Sequence, residues 1–241
     1  MEILRKIATN KHNPPTTIAF LGDSVTQGCF RKHCDYEAVY HNRLKKKLEV
    51  LCPNSVINIV NAGIRGTSSE YGVARLERDV LSKNPDLCVV CFGLNDVTRL
   101  EEGLQLYVDS LSQIFEKLKA FGCEIIFMTP NMINTYVCEN VLERYIEYAG
   151  KSMKWQNDGL MDKYMETGIA VAKKYGIPVC DVYGKWKKLN THGVDTTMLL
   201  AEGINHPIRE MHELFANMLF EVIMNNQTIN ASDESTMFKS N

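Results

Sequence analysis

Four short segments of the sequence carry residues whose types would suit the cleavage of an ester. In chain order they supply a serine hydroxyl, a glycine backbone N–H, an asparagine side-chain amide and a histidine. These residues are Ser24, Gly66, Asn95 and His206. A histidine that accepts the serine proton makes the hydroxyl nucleophilic near neutral pH. Amide donors can stabilise the negative charge that then forms on the carbonyl oxygen. The four residues together therefore indicate acyl transfer.

Apolar stretches that are typical of buried strands precede the first three of these segments. Five such stretches occur, at residues 17–22, 56–63, 87–93, 124–130 and 177–182. They are almost continuously apolar and rich in Val and Ile, as strands covered on both faces should be. Segments at helical spacing lie between them. We therefore predict an α/β fold, a three-layer α/β/α sandwich with a five-stranded parallel sheet in the flavodoxin-like order 2-1-3-4-5.

The strand order follows from the fold class and not from individual residues. In such sheets ligands bind beyond the carboxyl ends of the strands, so the serine, glycine and asparagine segments should meet at one edge. Local signals predict helix ends as well. Thr67 and Glu70 have the spacing of a capping box, Gly122 should stop a helix, and Pro207 suits the first position of a final helix within residues 206–223.

Composition argues against a nucleic-acid-binding, membrane-spanning or secreted protein. The 241 residues carry a net charge of -2, so no basic footprint of a nucleic-acid binder is present. No apolar stretch approaches the roughly 20 residues that span a bilayer, and residues 1–15 lack a signal-peptide core. We expect one cytoplasmic domain over residues 1–225, followed by a mobile polar tail at residues 226–241. Eight cysteines fit a reducing compartment, and none of the spacing predicts a zinc or calcium site.

One segment interrupts the alternation of strands and helices. Residues 131–160, which we call the aromatic insertion, add about 30 residues after the fourth predicted strand and contain three tyrosines and a tryptophan. Connections this long in compact domains are usually functional or disordered, and the aromatic residues argue against disorder. We expect the insertion to form a lid or wall of the substrate pocket, with Tyr145 and Trp155 as substrate-binding residues.

The segments "GDSVTQG", "NAGIRGTSSEYGVARL", "GLNDV" and "EGINHP" resemble the four hallmark blocks of the SGNH hydrolases, also called the GDSL esterases. They extend from residue 22 to residue 207, so the resemblance covers most of the chain. It implies that Ser24 is the nucleophile and His206 the base. It implies an oxyanion hole made by the amides of Ser24 and Gly66 and the side chain of Asn95. It also implies the three-layer fold and no metal or cofactor.

One position departs from the pattern of the family, which usually has an aspartate three residues before the histidine. That position is Gly203, and the nearest acid is Glu202, four residues before His206. Glu202 could hold the histidine proton as the acid of a triad does. Asp195 is a weaker candidate, and a Ser24–His206 dyad stays open. We expect Asp23 and Asp96 to bind loop amides.

The family resemblance leaves several substrates open. We favour a carbohydrate O-acetylesterase, because "GINHP" and "MDKYMETG" look more like the carbohydrate-esterase branch. The alternative is a short-chain lipid esterase or thioesterase. A sugar-binding module without catalysis is a third possibility, but such a module has no need of both Ser24 and His206. We expect a small-molecule ester or an acetylated sugar as the partner, with no nucleic acid and no membrane span. A homo-oligomer is possible.

Overall fold

The computed structural model describes residues 2–10, 15–30 and 33–226. Within these residues the core is a parallel sheet of five strands in the order β2-β1-β3-β4-β5. The strands are β1 (Thr16–Gly22), β2 (Ile57–Gly63), β3 (Leu87–Cys91), β4 (Glu124–Met128) and β5 (Val179–Cys180). The α/β class and the 2-1-3-4-5 order predicted from the apolar stretches are confirmed.

Helices connect the strands and cover the sheet. They are α1 (Ile3–Thr9), α2 (Ser24–Gln27), α3 (Tyr40–Leu51), α4 (Ser69–Asp79), α5 (Leu104–Phe121), α6 (Ile146–Asn157), α7 (Leu160–Lys174), α8 (Val182–Thr191) and α9 (Met211–Asn225). Contacts between helices sort them into two groups, α4–α7 in one and α1, α3, α8 and α9 in the other. The sheet lies between the groups as the middle of three layers.

Burial of the central strands shows this arrangement directly. All seven residues of β1 and all five of β3 are buried, which requires cover on both faces of the sheet. The edge strand β2 is only partly buried. The same strands set the edge that carries the predicted site. Gly22, Gly63 and Cys91 lie side by side at the ends of β1, β2 and β3, so the loops that follow them begin next to one another.

The last part of the chain differs from the sequence prediction. The final helix begins at Met211 and not at Pro207, because Pro207 pairs with Leu200 in an isolated antiparallel bridge. The strand predicted at 177–182 shortens to two residues, since Asp181 accepts a hydrogen bond from Gly184 N and starts helix α8. Helix α8 was not predicted.

Two predicted helix ends have different outcomes. Gly122 ends α5 in the left-handed region, with φ 86°, as predicted. The capping box at Thr67 is wrong: the cap residue of α4 is Ser68, and the Thr67 hydroxyl instead donates to Ile64 O at 2.7 Å.

The aromatic insertion is mostly helical. It contains a short 3-10 turn, Glu143–Tyr145, followed directly by α6. The polar tail predicted at residues 226–241 lies outside the described residues except for Asn226. All eight cysteines are free thiols. In the described part of the chain, no helix is both long and apolar enough to cross a membrane.

Candidate active site

Ser24 is the first residue of the short helix α2, directly after the carboxyl end of β1. The Asp23 carboxylate caps this helix by accepting a hydrogen bond from Val25 N at 2.9 Å. The turn requires glycine at position 22, because a Cβ there would lie 2.1 Å from the Thr26 hydroxyl oxygen. The strand can therefore bend sharply and hold the serine at the edge of the sheet, 5% exposed.

His206 faces this serine from the loop before α9. Its Nε2 lies 2.8 Å from the Ser24 Oγ, which is hydrogen-bonding distance. The bridge between Leu200 and Pro207 holds the histidine loop, and Ala201 N donates to the His206 carbonyl at 2.7 Å. The same bridge that excludes Pro207 from the final helix therefore positions the imidazole.

Glu202 contacts the other side of the imidazole. Its Oε1 lies 2.7 Å from His206 Nδ1 and also accepts from the backbone N–H groups of His206, at 2.7 Å, and Asn205, at 3.2 Å. The side chains of His206 and Glu202 are only 12% and 13% exposed. The intervening Gly203 has φ 70°, and a Cβ there would lie 2.3 Å from Cys138 Sγ, so this tight turn favours glycine where the family has aspartate.

Asp195, the weaker candidate for the acid, is engaged elsewhere. Its carboxylate accepts hydrogen bonds from the Tyr136 hydroxyl at 2.7 Å and from the backbone N–H groups of Thr197 and Met198. Of the two acids considered from the sequence, the structure brings Glu202 to the histidine.

The two other predicted oxyanion donors lie in the loops that follow β2 and β3. Gly66 has φ 72°, and nothing lies within 4 Å of the place where its Cβ would be, so its surroundings are open. Asn95 Nδ2 donates to Thr67 O at 3.0 Å and to Asp23 Oδ2 at 3.3 Å. Both residues line the same cavity as Ser24.

Two buried acids support these loops, as predicted. Burial raises the pKa of Asp23 to about 6, although the Val25 N–H and the nearby His206 act in the opposite direction. Burial also raises the pKa of Asp96, against the hydrogen bonds from Ser69. Asp96 accepts from both Ser69 N and Ser69 Oγ, at 3.0 and 2.5 Å, and so ties the Asn95 loop to the start of α4.

An open cavity of about 480 Å³ lies above the serine. Its lining combines the serine, the loops after β2 and β3, the histidine loop and the aromatic insertion. The lining residues are Ser24, Arg65, Gly66, Asn95, Leu142, Arg144, Tyr145, Tyr148, Glu202, Ile204, Asn205 and His206. The insertion thus forms one wall of the cavity. Nowhere in the described residues do three or more His, Cys, Asp or Glu side chains gather in a way that could hold a metal ion.

The two aromatic residues predicted to bind substrate have different positions. Tyr145 lines the cavity. Trp155 does not line it, which departs from the prediction: its ring packs against the core and contacts Tyr148 edge-on, with ring centroids 5.8 Å apart. Both residues lie on α6, and Tyr148 lines the cavity where Trp155 does not. Sequence reasoning also missed Arg65 and Arg144 in the lining, although both adjoin residues that it selected.

The sequence profile of the GDSL-like lipase/acylhydrolase family matches residues 20–214. The chain belongs to this family. It is therefore an ester hydrolase, and the resemblance inferred from the four motifs is confirmed.

This acylhydrolase has relatives of known sequence and structure. It is 26% identical over 226 residues to the uncharacterized lipoprotein YqeF of Bacillus subtilis (strain 168), covering 88% of this chain and 89% of the relative. It is 30% identical over 169 residues to an acetylxylan esterase of Geobacillus stearothermophilus, covering 64% of this chain and 76% of the relative.

A solved structure of a two-domain esterase active on acetylated mannans superposes on this acylhydrolase with a TM-score of 0.70 and 20% identity, over 96% of this chain. The chain spans 53% of that esterase, about half its length. This likeness shows the shared fold.

Proposed function

We propose that this acylhydrolase is a carbohydrate O-acetylesterase that acts through an acetyl-Ser24 intermediate. The observation that carries the proposal is the hydrogen-bonded series Ser24–His206–Glu202 beside an open cavity. The acetylxylan esterase relative supports an acetylated sugar as the substrate class. The tyrosines in the cavity wall suit the same class, since an aromatic face can pack on a sugar ring.

In the first step, Ser24 Oγ attacks the acetyl carbonyl carbon while His206 Nε2 takes the hydroxyl proton. The carbonyl oxygen becomes an oxyanion, which the N–H groups of Ser24 and Gly66 and the Asn95 side chain stabilise. Asn95 Nδ2 is suited to this role because its contact with Asp23, at 3.3 Å, is the longer of its two hydrogen bonds. A rotation of the Asn95 side-chain amide exchanges this contact with Asp23 for one with the oxyanion.

The intermediate then collapses. His206 returns its proton to the sugar oxygen, the C–O bond breaks, and the sugar leaves with a free hydroxyl group. A water molecule attacks the acetyl-Ser24 carbonyl with His206 again as the base, and acetate leaves as the Ser24 hydroxyl is restored. Glu202 stabilises the imidazolium that exists in both steps and fixes which ring nitrogen carries the proton.

The test is acetate release from acetylated xylo-oligosaccharides, together with a series of p-nitrophenyl esters of increasing acyl length. We expect the acetyl ester to be the preferred member of the series. A fluorophosphonate probe should label Ser24, and Ser24→Ala should abolish labelling and nearly all turnover. Full activity in that variant would exclude the acyl-serine mechanism.

The ester series also distinguishes the alternatives. Preference for longer acyl chains or for thioesters, without acetate release from sugars, would favour a lipid esterase or thioesterase. Binding of acetylated sugars with no turnover would favour a sugar-binding module. A cytoplasmic location stays a prediction, and fractionation of the native cell tests it.

A further inference from the structure

Two arginines in the cavity differ from the other arginines of the described chain. Six arginines form ion pairs with carboxylates: Arg5, Arg43, Arg75, Arg78, Arg99 and Arg209. The two described arginines without a carboxylate partner are Arg65 and Arg144, and both line the catalytic cavity. Their position, rather than their exposure, sets them apart.

Each arginine has a contact near the cavity that is not an ion pair. Arg65 directly precedes the oxyanion residue Gly66, and its N–H donates to the Gln27 side chain at 2.9 Å. Arg144 lies in the 3-10 turn of the aromatic insertion, and its guanidinium carbon lies 4.9 Å from the centroid of the Tyr145 ring. Stacking of this kind orients the guanidinium plane while its N–H donors stay available.

Neither arginine forms an ion pair with an acidic group of the cavity. Glu202 is the acidic residue of the lining, and its Oε1 is already bonded to His206 Nδ1 and two backbone N–H groups. Glu147, close to Arg144 in sequence, pairs with Lys151 at 2.7 Å. The cavity lining therefore carries two positive charges, Arg65 and Arg144, against the one negative charge of Glu202, and this balance favours an anion.

We propose that the alcohol part of the substrate carries an anionic group, a carboxylate or a phosphate, which Arg65 and Arg144 bind. This inference rests on the proposed function and names its substrate class: an acidic acetylated sugar in place of a neutral one. A guanidinium matches the geometry of either anion with two parallel N–H donors. The acetyl group lies at Ser24 and the oxyanion donors, while the anionic group of the sugar lies against the arginines.

Matched substrates isolate the contribution of the charge. One pair is an O-acetylated hexuronic acid and its methyl ester, and the other is an acetylated hexose phosphate and the same acetylated hexose without phosphate. We expect the anionic member of at least one pair to have the higher kcat/KM, by about 5- to 50-fold, the range for charge-assisted bonds that are partly exposed to water. The pair that shows the preference identifies the anion.

Variants then assign the preference to the two residues. In Arg65→Gln and Arg144→Gln the ratio of kcat/KM for the anionic and neutral members should fall toward one, mainly through a higher KM for the anionic ester. Arg99→Gln is the control, because Arg99 is paired with Glu70 and lies outside the cavity lining. Added salt at about 1 M should reduce the wild-type preference, since charges are screened beyond about 3 Å there.

The outcomes separate this inference from the proposed function. If the neutral members are hydrolysed as well as the anionic ones, or if neither arginine variant changes the ratio, the anionic subsite is wrong while the acetylesterase stands. If acetylated xylo-oligosaccharides are hydrolysed but no member of either pair is, the anionic subsite is wrong and the acetylesterase stands. If p-nitrophenyl acetate is hydrolysed but no acetylated sugar of any kind is, the proposed function is wrong and the acidic sugar is wrong with it. Because the ratio compares two substrates on one variant, a partly unfolded variant does not change it.

Discussion

At the scale of single residues, one oxygen of Glu202 bonds to both the imidazole of His206 and the loop that carries it. Oε1 accepts from His206 Nδ1 and from the backbone N–H groups of Asn205 and His206, so the carboxylate fixes both the ring and the turn that carries it. A carboxylate in this position stabilises imidazolium, which forms only as the serine or, in the second step, the water attacks. Its contribution should therefore appear in the transition state.

The variant Glu202→Gln tests this role. The amide oxygen can still accept from the two backbone N–H groups, so the turn should persist while the negative charge is lost. We expect kcat to fall by about 10–10³-fold with KM nearly unchanged, less than the about 10⁴-fold known for neutralising the triad acid of a serine protease. The control is Asp195→Asn, which should retain wild-type kcat because Asp195 bonds to Tyr136 and not to the histidine. The opposite result would assign the acid to Asp195, and no change in either variant would indicate a dyad.

The motifs allowed prediction of Ser24, Gly66, Asn95 and His206 because each lies next to a strand end or loop that its block marks. The positions of Arg144 and Trp155 were beyond this reasoning. They depend on the orientation of the 3-10 turn that carries Arg144 and of helix α6 that carries Trp155, and the insertion has no family block to fix either orientation. Trp155 lies behind Tyr148 for this reason, although its residue type suits a sugar-binding surface equally well.

At the scale of elements, a buried arginine from α4 joins the two strands that precede Ser24 and the Gly66 loop. Arg75 donates to Gly22 O at 2.8 Å and to Ala62 O at 2.6 Å, while Asp79 balances its charge at 3.2 Å. These carbonyls belong to the last residues of β1 and β2, just before Asp23-Ser24 and the Gly66 loop. The guanidinium therefore fixes the separation of the two loops.

We predict that Arg75→Met lowers the free energy of unfolding by about 2–4 kcal/mol, because two carbonyls and Asp79 lose their charged partner. Arg75→Lys keeps the charge but cannot reach both carbonyls with a planar fork, so it should recover much of the stability and little of kcat. Urea unfolding and kcat per folded molecule are the measurements. If Arg75→Lys has full kcat, Arg75 contributes to stability and does not position the loops.

Pairing with a residue outside the local segment explains where the prediction of the final helix start failed. Pro207 satisfies the rule for a first helical position, but in the structure it pairs with Leu200, and the helix begins four residues later. The residues around Pro207 show that it suits the start of a helix, but they do not show that it pairs with Leu200. All five strands were predictable because a buried parallel strand is apolar along its whole length, although β5 covers only two residues of the apolar stretch predicted at 177–182.

At the scale of the whole molecule, two buried histidines, His41 and His212, lie in the layer of α3 and α9. His212 is fully buried, its Nδ1 accepts from Tyr40 N at 3.3 Å, and its ring stacks with Tyr40 and Phe215. Burial, with a smaller contribution from Arg43, lowers the pKa of His212 to about 3. Burial likewise lowers the pKa of His41 to about 4. Both rings are neutral in the folded protein at neutral pH.

Buried Asp23 affects stability in the opposite direction. Its pKa is raised to about 6 in the folded state, above its ordinary value, so the folded state binds a proton first as the pH falls. Its contribution to stability therefore rises between about pH 6 and pH 4. The histidines bind their protons first in the unfolded state, so their contribution falls from about pH 6.5 downward. The pH dependence of the whole molecule combines these opposing slopes.

Comparison of His212→Gln with the wild type separates the two contributions. Glutamine can accept from Tyr40 N but does not gain a proton on unfolding, so the variant should lose less stability on acidification. Relative to the wild type, its free energy of unfolding should rise by about 2 kcal/mol between pH 7 and pH 5, at about 1.4 kcal/mol per pH unit below 6.5.

Asp23→Asn should show the opposite trend and lose stability relative to the wild type, by about 1 kcal/mol over the same range. Urea unfolding at both pH values measures each difference, and a difference between His212→Gln and the wild type that is constant with pH would show that the pKa of His212 is the same in the folded and unfolded protein.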